Sequence, residues 1–251
     1  LREMFGFFKK KPKIKKEATY DYSDLMVDMH SHVLPGIDDG AQTVEESIYL
    51  IKKMMDLGIK KVIATPHVMV DMYRNTPDII NDALARLQQA LKQEGIAIPV
   101  EAAAEHMFDE GFEEKIDNGQ LMVMKTGHVL FEFSFIQKPY NLIPVIQKLV
   151  DKGYKPILAH PERYPYLTLD ELKNIRSWGC DLQLNTISLT GYYGGPTKQI
   201  AEQLVDEQMI DFLSSDMHHP RHASALKQAL LMPYLDKLMA DDYPLKNKML
   251  Y

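Results

Sequence analysis

The segment Asp28-Met-His30-Ser-His32 sets two imidazoles two residues apart. Side chains at i and i+2 of an extended strand point the same way, so this pair can reach one cation. His67, Glu105, Glu132 and His160 follow at separated positions, Asp216-Met-His218 repeats the two-residue spacing, and Asp39 lies just beyond the first pair. Imidazole and carboxylate together form a donor set that Zn²⁺, Mn²⁺ and Fe ions accept. A lone histidine is ordinarily a surface or hydrogen-bonded residue, and His106, His128 and His219 are read that way. Glu132 differs because it stands between Phe131 and Phe133. A carboxylate buried there is costly unless a cation offsets it.

The elements that must carry these residues are legible as an alternation. Apolar, β-rich runs at residues 25–30, 62–65, 98–104, 129–133, 156–159, 181–185 and 210–214 are separated by amphipathic helical stretches. Thr43 with Glu46 reads as a capping box opening a helix whose apolar face is Val44, Ile48, Ile51 and Met55, closed by Gly58. Thr76-Pro77 opens a second helix that runs to Gly95, and Thr168 with Glu171 forms another capping box. Strands alternating with helices predict an α/β protein with a parallel sheet. Six of the seven predicted strands end near His, Asp or Glu. Functional side chains at the C-terminal ends of many strands favour a barrel over an open sheet, and their number predicts a multi-metal site.

The chain has 251 residues, 45% of them hydrophobic and 25% charged, enough for one sizeable domain. No apolar run approaches the ~18 residues of a membrane-spanning helix. The single cysteine, Cys180, excludes an internal disulfide framework and a thiolate metal cage, and it fits a reducing, cytoplasmic setting. Net charge is −6, but residues 1–17 hold seven cationic and two acidic side chains, a net of +5, leaving −11 for the remainder. A body so acidic is not expected to bind nucleic acid. Residues 1–23 are expected to form a basic, aromatic tail and residues 24–251 a single domain. Leu1 to Glu3 precede Met4 and are given no fold role. Phe5, Phe7 and Phe8 come before the lysine cluster, the reverse of a signal peptide, so export is not expected. The same order suits weak contact with an anionic membrane surface.

The Asp28-x-His30-x-His32 opening, the isolated His67, Glu105, Glu132, the His160-Pro-Glu-Arg163 segment and Asp216-x-His218 together resemble the PHP (polymerase and histidinol phosphatase) superfamily. More closely, Asp28-Met-His-Ser-His-Val-Leu-Pro-Gly-Ile-Asp-Asp-Gly40 is similar to the manganese-dependent bacterial protein tyrosine phosphatases of capsule and exopolysaccharide operons. The resemblance spans residues 26–232. It implies a distorted seven-stranded β/α barrel of TIM type with up to three ions, Mn²⁺ first and Fe, Zn or Mg as substitutes. The implied ligands are His30, His32, Asp39, His67, Glu105, Glu132, His160, Asp216 and His218, with Glu105 bridging. Arg163 and Arg221 are implied to hold the phosphate, His222 being the substitute for Arg221. The implied partner is a phosphotyrosine protein, a cytoplasmic tyrosine kinase controlling polysaccharide export.

A phosphate monoester dianion needs cations before a nucleophile can approach, and clustered metals also acidify water. Direct in-line attack on phosphorus is therefore expected, without a phosphoenzyme, with the arginines neutralising equatorial charge. A tyrosine leaving group of pKa ~10 needs little general-acid help. Cys180 is rejected as nucleophile, since Thr186 occupies the arginine position of Cys-x5-Arg and the cysteine begins a predicted interior strand. Tyr192 and Tyr193, in the glycine-rich stretch 190–195, are candidates to stack on a substrate ring, with Tyr73, Tyr164 and Tyr166 behind them. The rival readings are a small-molecule phosphatase resembling histidinol phosphatase, a DNA-end nuclease and a non-catalytic metal-bearing binding protein. The first would enclose its substrate. The second lacks a basic groove, and the third would need a closed site rather than nine ligands.

Overall fold

The computed structural model describes residues 13–251. Phe5, Phe7, Phe8 and Lys9 to Lys11, which carry the expected membrane contact, lie outside the described residues. From residue 15 the chain already lies on the body. The Lys15 N–H donates to the Leu231 carbonyl at 3.0 Å, its ammonium meets Asp236 at 2.5 Å, and Tyr22 is fully buried with its hydroxyl on the Leu226 carbonyl. Lys15 and Tyr22, both within the expected tail, thus pack on the body.

In chain order the elements are β1 (Val27–Asp28), α1 (Val44–Asp56), β2 (Lys61–Ala64), β3 (His67–Val68), α2 (Pro77–Gln93), β4 (Val100–Ala102), β5 (Glu105–Met107), α3 (Glu110–Asn118), β6 (His128–Glu132) and α4 (Leu142–Asp151). They continue with β7 (Lys155–Ala159), α5 (Leu169–Ser177), β8 (Asp181–Asn185), α6 (Gly195–Asp206), β9 (Phe212–Ser214), α7 (Pro220–Ala229) and α8 (Pro233–Met239). Every pairing is parallel. β1, β2 and β4 form one sheet, and β3, β5, β6, β7, β8 and β9 form the other in that order.

The α/β class with parallel strands therefore stands; the seven expected strands have β1, β2, β4, β6, β7, β8 and β9 as counterparts, β3 and β5 are additional, and the ladders do not close into one sheet. The second expected strand, 62–65, ends ahead of Pro66, which has no N–H to give a ladder, and β3 follows as a further strand. The neighbouring strand, expected over 98–104, is cut in step at Ala103 and Ala104. Beyond the cut, β3 and β5 lean onto β6, so His67 and Glu105 are in register as partners. Past β1 the chain is bonded on both sides: Ser31 forms a parallel bridge with Met217, and the Thr65 N–H donates to the Ser31 carbonyl at 2.8 Å.

Two apolar clusters follow from this arrangement. Val27, Met29, Ile63, Leu130, Ile157, Ala159 and Phe212 pack among the strands with Leu250 at one end. The larger cluster joins the outer strand faces to the helices. On α1 the buried stripe is Ser47, Leu50, Ile51 and Met54, while Met55 is exposed. The expected face is rotated by part of a turn. Thr43 does cap that helix, but the Glu46 carboxylate bonds the Gln42 N–H instead of closing the box. At Thr168 and Glu171 both halves of the capping box form.

Candidate metal centre

All nine expected ligand residues fall into overlapping groups whose donor atoms lie within 4.8 Å of one another. Glu105 is at the middle. Its Oε2 lies 3.2 Å from His30 Nε2, 3.3 Å from His32 Nε2 and 3.1 Å from His67 Nδ1, and its Oε1 is 3.0 Å from His160 Nε2. Asp216 Oδ1 faces His30 and His32 at 3.2 and 3.4 Å, Glu132 Oε1 faces His67 Nδ1 at 3.0 Å, and Asp39 Oδ1 faces His67 Nε2 and His218 Nε2 at 3.4 and 3.5 Å. His67 meets two groups through opposite nitrogens, and a neutral ring offers one lone pair, so it can ligate in one of them.

His160 Nε2 and Glu105 Oε1 are hydrogen-bonded at 3.0 Å, but several of the other donors approach without a partner. Glu105 Oε2, Glu132 Oε1, Asp216 Oδ1 and His67 Nδ1 are buried and have no hydrogen-bond partner. Orphaned buried acceptors of this kind are rare in proteins. The tautomers sharpen the point. His30 Nδ1 lies 2.9 Å from Gln183 Oε1, and His32 Nδ1 lies 2.8 Å from Asp38 Oδ2, both acceptors, so each Nδ1 carries hydrogen. When the rings are neutral, the two Nε2 atoms, 3.3 Å apart, turn lone pairs toward each other and toward the carboxylates. Lone pairs facing lone pairs in a buried pocket are what a cation would reconcile, and the donor set fits one.

Electrostatics in the cation-free state tell the same story through protons. Burial opposes charging His30, yet Glu105 and Asp216 prevail and push its pKa up to about 9. His32 rises well above the usual imidazole range for the same reason, with Asp38 as its strongest supporter against burial. Burial also opposes ionising Glu105 and Asp216, but the histidines, His30 foremost, hold both well below the carboxylate range. Asp39 is drawn down to about 2, its partial burial outweighed by His218. Protons on the imidazoles thus stand in for positive charge that the carboxylates demand.

The local folds that place these groups are tight. Gly40 packs so closely under His32 that a Cβ there would sit 2.0 Å from the His32 carbonyl oxygen, and its N–H donates to Asp38 Oδ1 at 2.9 Å. His160 and Asp216 both adopt left-handed backbone, φ 34° and 51°. Non-glycine residues take that region at a cost, and such strain gathers at functional sites.

A cavity of 260 Å³ opens over the centre, lined by Asp39, His67, Glu105, Glu132, His160, Asp216 and His218 together with Phe135, Arg163, Tyr193, His219 and His222. Arg163 Nη1 donates to Asp216 Oδ2 at 3.2 Å, and its guanidinium stacks over Phe135 at 4.4 Å and Tyr193 at 4.3 Å. Arg221, expected as its companion, is exposed on the first turn of α7 and does not line the cavity; the inward neighbour is His222. Tyr192 packs edge-on against His222 outside the lining, and Tyr73 stacks on His67. Tyr164, considered for the wall, is fully buried and accepts from the Phe133 N–H. Cys180 is buried, and burial pushes its thiol well up, away from nucleophile chemistry.

The sequence model of the capsular polysaccharide synthesis CpsB/CapC family matches residues 26–247. The chain belongs to the CpsB/CapC family. It is 31% identical to the tyrosine-protein phosphatase YwqE of Bacillus subtilis over 222 residues, 87% of each chain, and 28% identical to the putative tyrosine-protein phosphatase CapC of Staphylococcus aureus, covering 77% of each. A solved structure from the pair YwqE of B. subtilis and CpsB of Streptococcus pneumoniae, described as unique metal-dependent tyrosine phosphatases, superposes with a TM-score of 0.78 at 30% identity, over 90% of this chain and 91% of that one.

In this CpsB/CapC member several positioning residues have no counterpart in the sequence reading. Gln183 and Asn185, at the end of β8, form a relay. Gln183 Oε1 accepts from His30, its amide nitrogen donates to Asn185 Oδ1 at 3.0 Å, and Asn185 Nδ2 donates to Asp216 Oδ2 at 2.7 Å. Asp38 similarly holds His32 and the His67 N–H. Asp28 accepts from Ser214 Oγ and the Ser215 N–H and ties β1 to β9. The signal for the relay was the alternation Asp181-Leu-Gln183-Leu-Asn185, polar residues pointing to one face of an otherwise apolar strand. His106 and His128, read as bystanders, are buried, lie outside the centre and are pushed by burial down to about 4. His219, read the same way, lines the cavity.

Proposed function

We propose that this protein is a metal-dependent phosphatase that removes phosphate from phosphotyrosine in proteins. The observation that carries the reading is that orphaned carboxylate and imidazole donors share one cavity with the Arg163 guanidinium. The phosphatase names of its relatives support it. His30, His32, Glu105 and Asp216 would hold one cation, Glu105, Glu132 and His160 a second, and Asp39, His67 and His218 a third, with Glu105 shared. Divalent cations bound there supply charge against the phosphate dianion and acidify water near neutral pH. Mn²⁺ is the proposed metal, and Fe, Zn and Mg ions accept the same donors.

Arg163 acts as the anion clamp. Its fork is pinned on one edge by Asp216 and on its faces by Phe135 and Tyr193, leaving its other N–H groups for phosphate oxygens. The aromatic pair also gives the substrate ring surfaces to lie against. Phe135 is 41% exposed and the Asp39 side chain 53%, so the mouth is open, as a protein substrate requires and an enclosed small metabolite does not. Arg221 is outside this arrangement and is proposed at most as an outer contact.

The fold reading extends to a distorted seven-stranded β/α barrel within one domain, preceded by a short basic tail. The Ser31–Met217 bridge between the two sheet ends and the apolar cluster fed by both sheets support it. Among the described residues no helix is long and apolar enough to cross a membrane. The proposed setting is the cytoplasm, with the tail touching the membrane surface, and the proposed partner is a phosphorylated tyrosine kinase of capsule or exopolysaccharide synthesis. Nucleic acid is not a proposed partner.

The test is phosphate release from a matched panel after loading with Mn²⁺: a phosphotyrosine peptide, a phosphoserine peptide, histidinol phosphate and a single-stranded oligonucleotide. Preference for the phosphotyrosine peptide, abolished by chelator, is the expected result. Preference for histidinol phosphate would move the function to small-molecule metabolism and overturn the reading.

A further inference from the structure

A second groove, of 520 Å³, opens beside the metal centre between the first turns of α1 and the start of α7. Glu45, Glu46, Tyr49 and Leu50 form one wall and His218, His219 and Pro220 the other. His218 and His219 also line the metal cavity, so the two spaces are neighbours across these two side chains. The formally charged side chains on the groove are both acidic, Glu45 and Glu46, and no lysine or arginine lines it. Tyr49 is 45% exposed, with Lys53 resting 5.4 Å over the ring, so the remainder of the ring is left as apolar wall. The floor is stiff: the Gln42 side-chain amide donates to the Asp38 and Gly40 carbonyls at 2.9 and 2.8 Å, tying it to the loop that carries Asp39.

We propose that this groove receives the polypeptide flanking the phosphotyrosine and selects a flank with lysine or arginine beside an apolar residue. The inference rests on the phosphotyrosine reading and names which phosphotyrosine sequences that site takes. Two acidic side chains with an aromatic wall complement a cation on an apolar stem, whereas an acidic flank meets like charge. An extended chain advances ~3.3–3.6 Å per residue, so residues close to the phosphotyrosine reach a groove that begins at His218. The pairs are solvent-exposed, so the selection is moderate and resides in binding rather than in the chemical step.

The test compares phosphotyrosine peptides that differ only in Lys/Leu or Glu/Ser flanks, against wild type, Glu45→Gln and Tyr49→Ser, with a small aryl phosphate as the groove-independent substrate. Expected is a KM about three- to tenfold lower for the Lys/Leu peptide at similar kcat, a difference erased in both variants. Turnover of the aryl phosphate stays unchanged. Equal KM for the two flanks, or variants that slow peptide and aryl phosphate in parallel, would overturn the proposal. The same peptides carrying a non-hydrolysable phosphonate are followed by fluorescence anisotropy, so that flank preference is read without turnover. Absence of flank preference there refutes the groove, while failure to hydrolyse any aryl phosphate refutes the phosphatase reading instead.

Discussion

Loading the metal centre must expel protons, and the amount follows from the site. In the cation-free protein His30 has a pKa of about 9 and His32 lies well above the usual imidazole range. His30 is therefore protonated at neutral pH, and His32 is shifted in the same direction. Their Nδ1 hydrogens are committed to Gln183 and Asp38, so the displaced protons leave from Nε2, the atoms that face Glu105 and Asp216. Deprotonating His30 at pH 7, two units below its pKa, costs about 3 kcal/mol. Metal binding offsets that cost, and it becomes easier as pH rises. Isothermal titration with Mn²⁺ in buffers of different ionisation enthalpy should show at least about one proton released per protein at pH 7, the one from His30. The apparent Kd should tighten about tenfold or more per pH unit just above neutrality. His30→Gln should lower the release by about one proton. A pH-independent Kd with no proton release would refute the assignment of His30 and His32 as ligands.

Three further outcomes follow from the same geometry. In chelator-treated protein, the His30 pKa raised from 6.5 to about 9 gives stability that is full below pH 6.5 and lost as pH rises through 9. That is about 3 kcal/mol, or roughly 10 °C in Tm, and the metal-loaded protein should lack this decline when both are followed by circular dichroism. Gln183→Leu removes the acceptor that orients His30 and should weaken Mn²⁺ binding about 10- to 100-fold in a fluorescence competition assay, with the far-ultraviolet spectrum unchanged. Arg163→Ala should lower kcat/KM on a phosphotyrosine peptide by about 10²–10³, whereas Arg221→Ala, exposed and outside the cavity, should stay near wild type; equal losses would return Arg221 to the site.

Much of this site is readable in one dimension because its donors sit at strand ends, where period-two spacing and chemistry coincide. His30 and His32 share one donor group as their spacing suggests, whereas Asp216 is in left-handed backbone and falls in a different donor group from His218. What escaped is information that only tertiary packing creates. The break at Pro66 is visible as a proline, but the matching break at Ala103 and Ala104 is imposed by the neighbouring strand. Gln183 and Asn185 act on His30 and Asp216, far away in the chain, so their value appears only when β8 lies beside β7 and β9. Arg221 and His222 are adjacent in sequence, and which of them turns inward depends on the phase of α7. The helix face of α1 was misjudged because apolar residues flank the buried stripe on both sides, and Tyr49 and Met55 are left exposed.

The most direct measurement is phosphotyrosine-peptide hydrolysis by chelator-stripped protein titrated with Mn²⁺, run beside His30→Ala. The account predicts no turnover before metal, a rise that levels off once the sites built around Glu105 are filled, and no recovery in the variant. Full activity without metal, or undiminished Mn²⁺-dependent activity in His30→Ala, would contradict it.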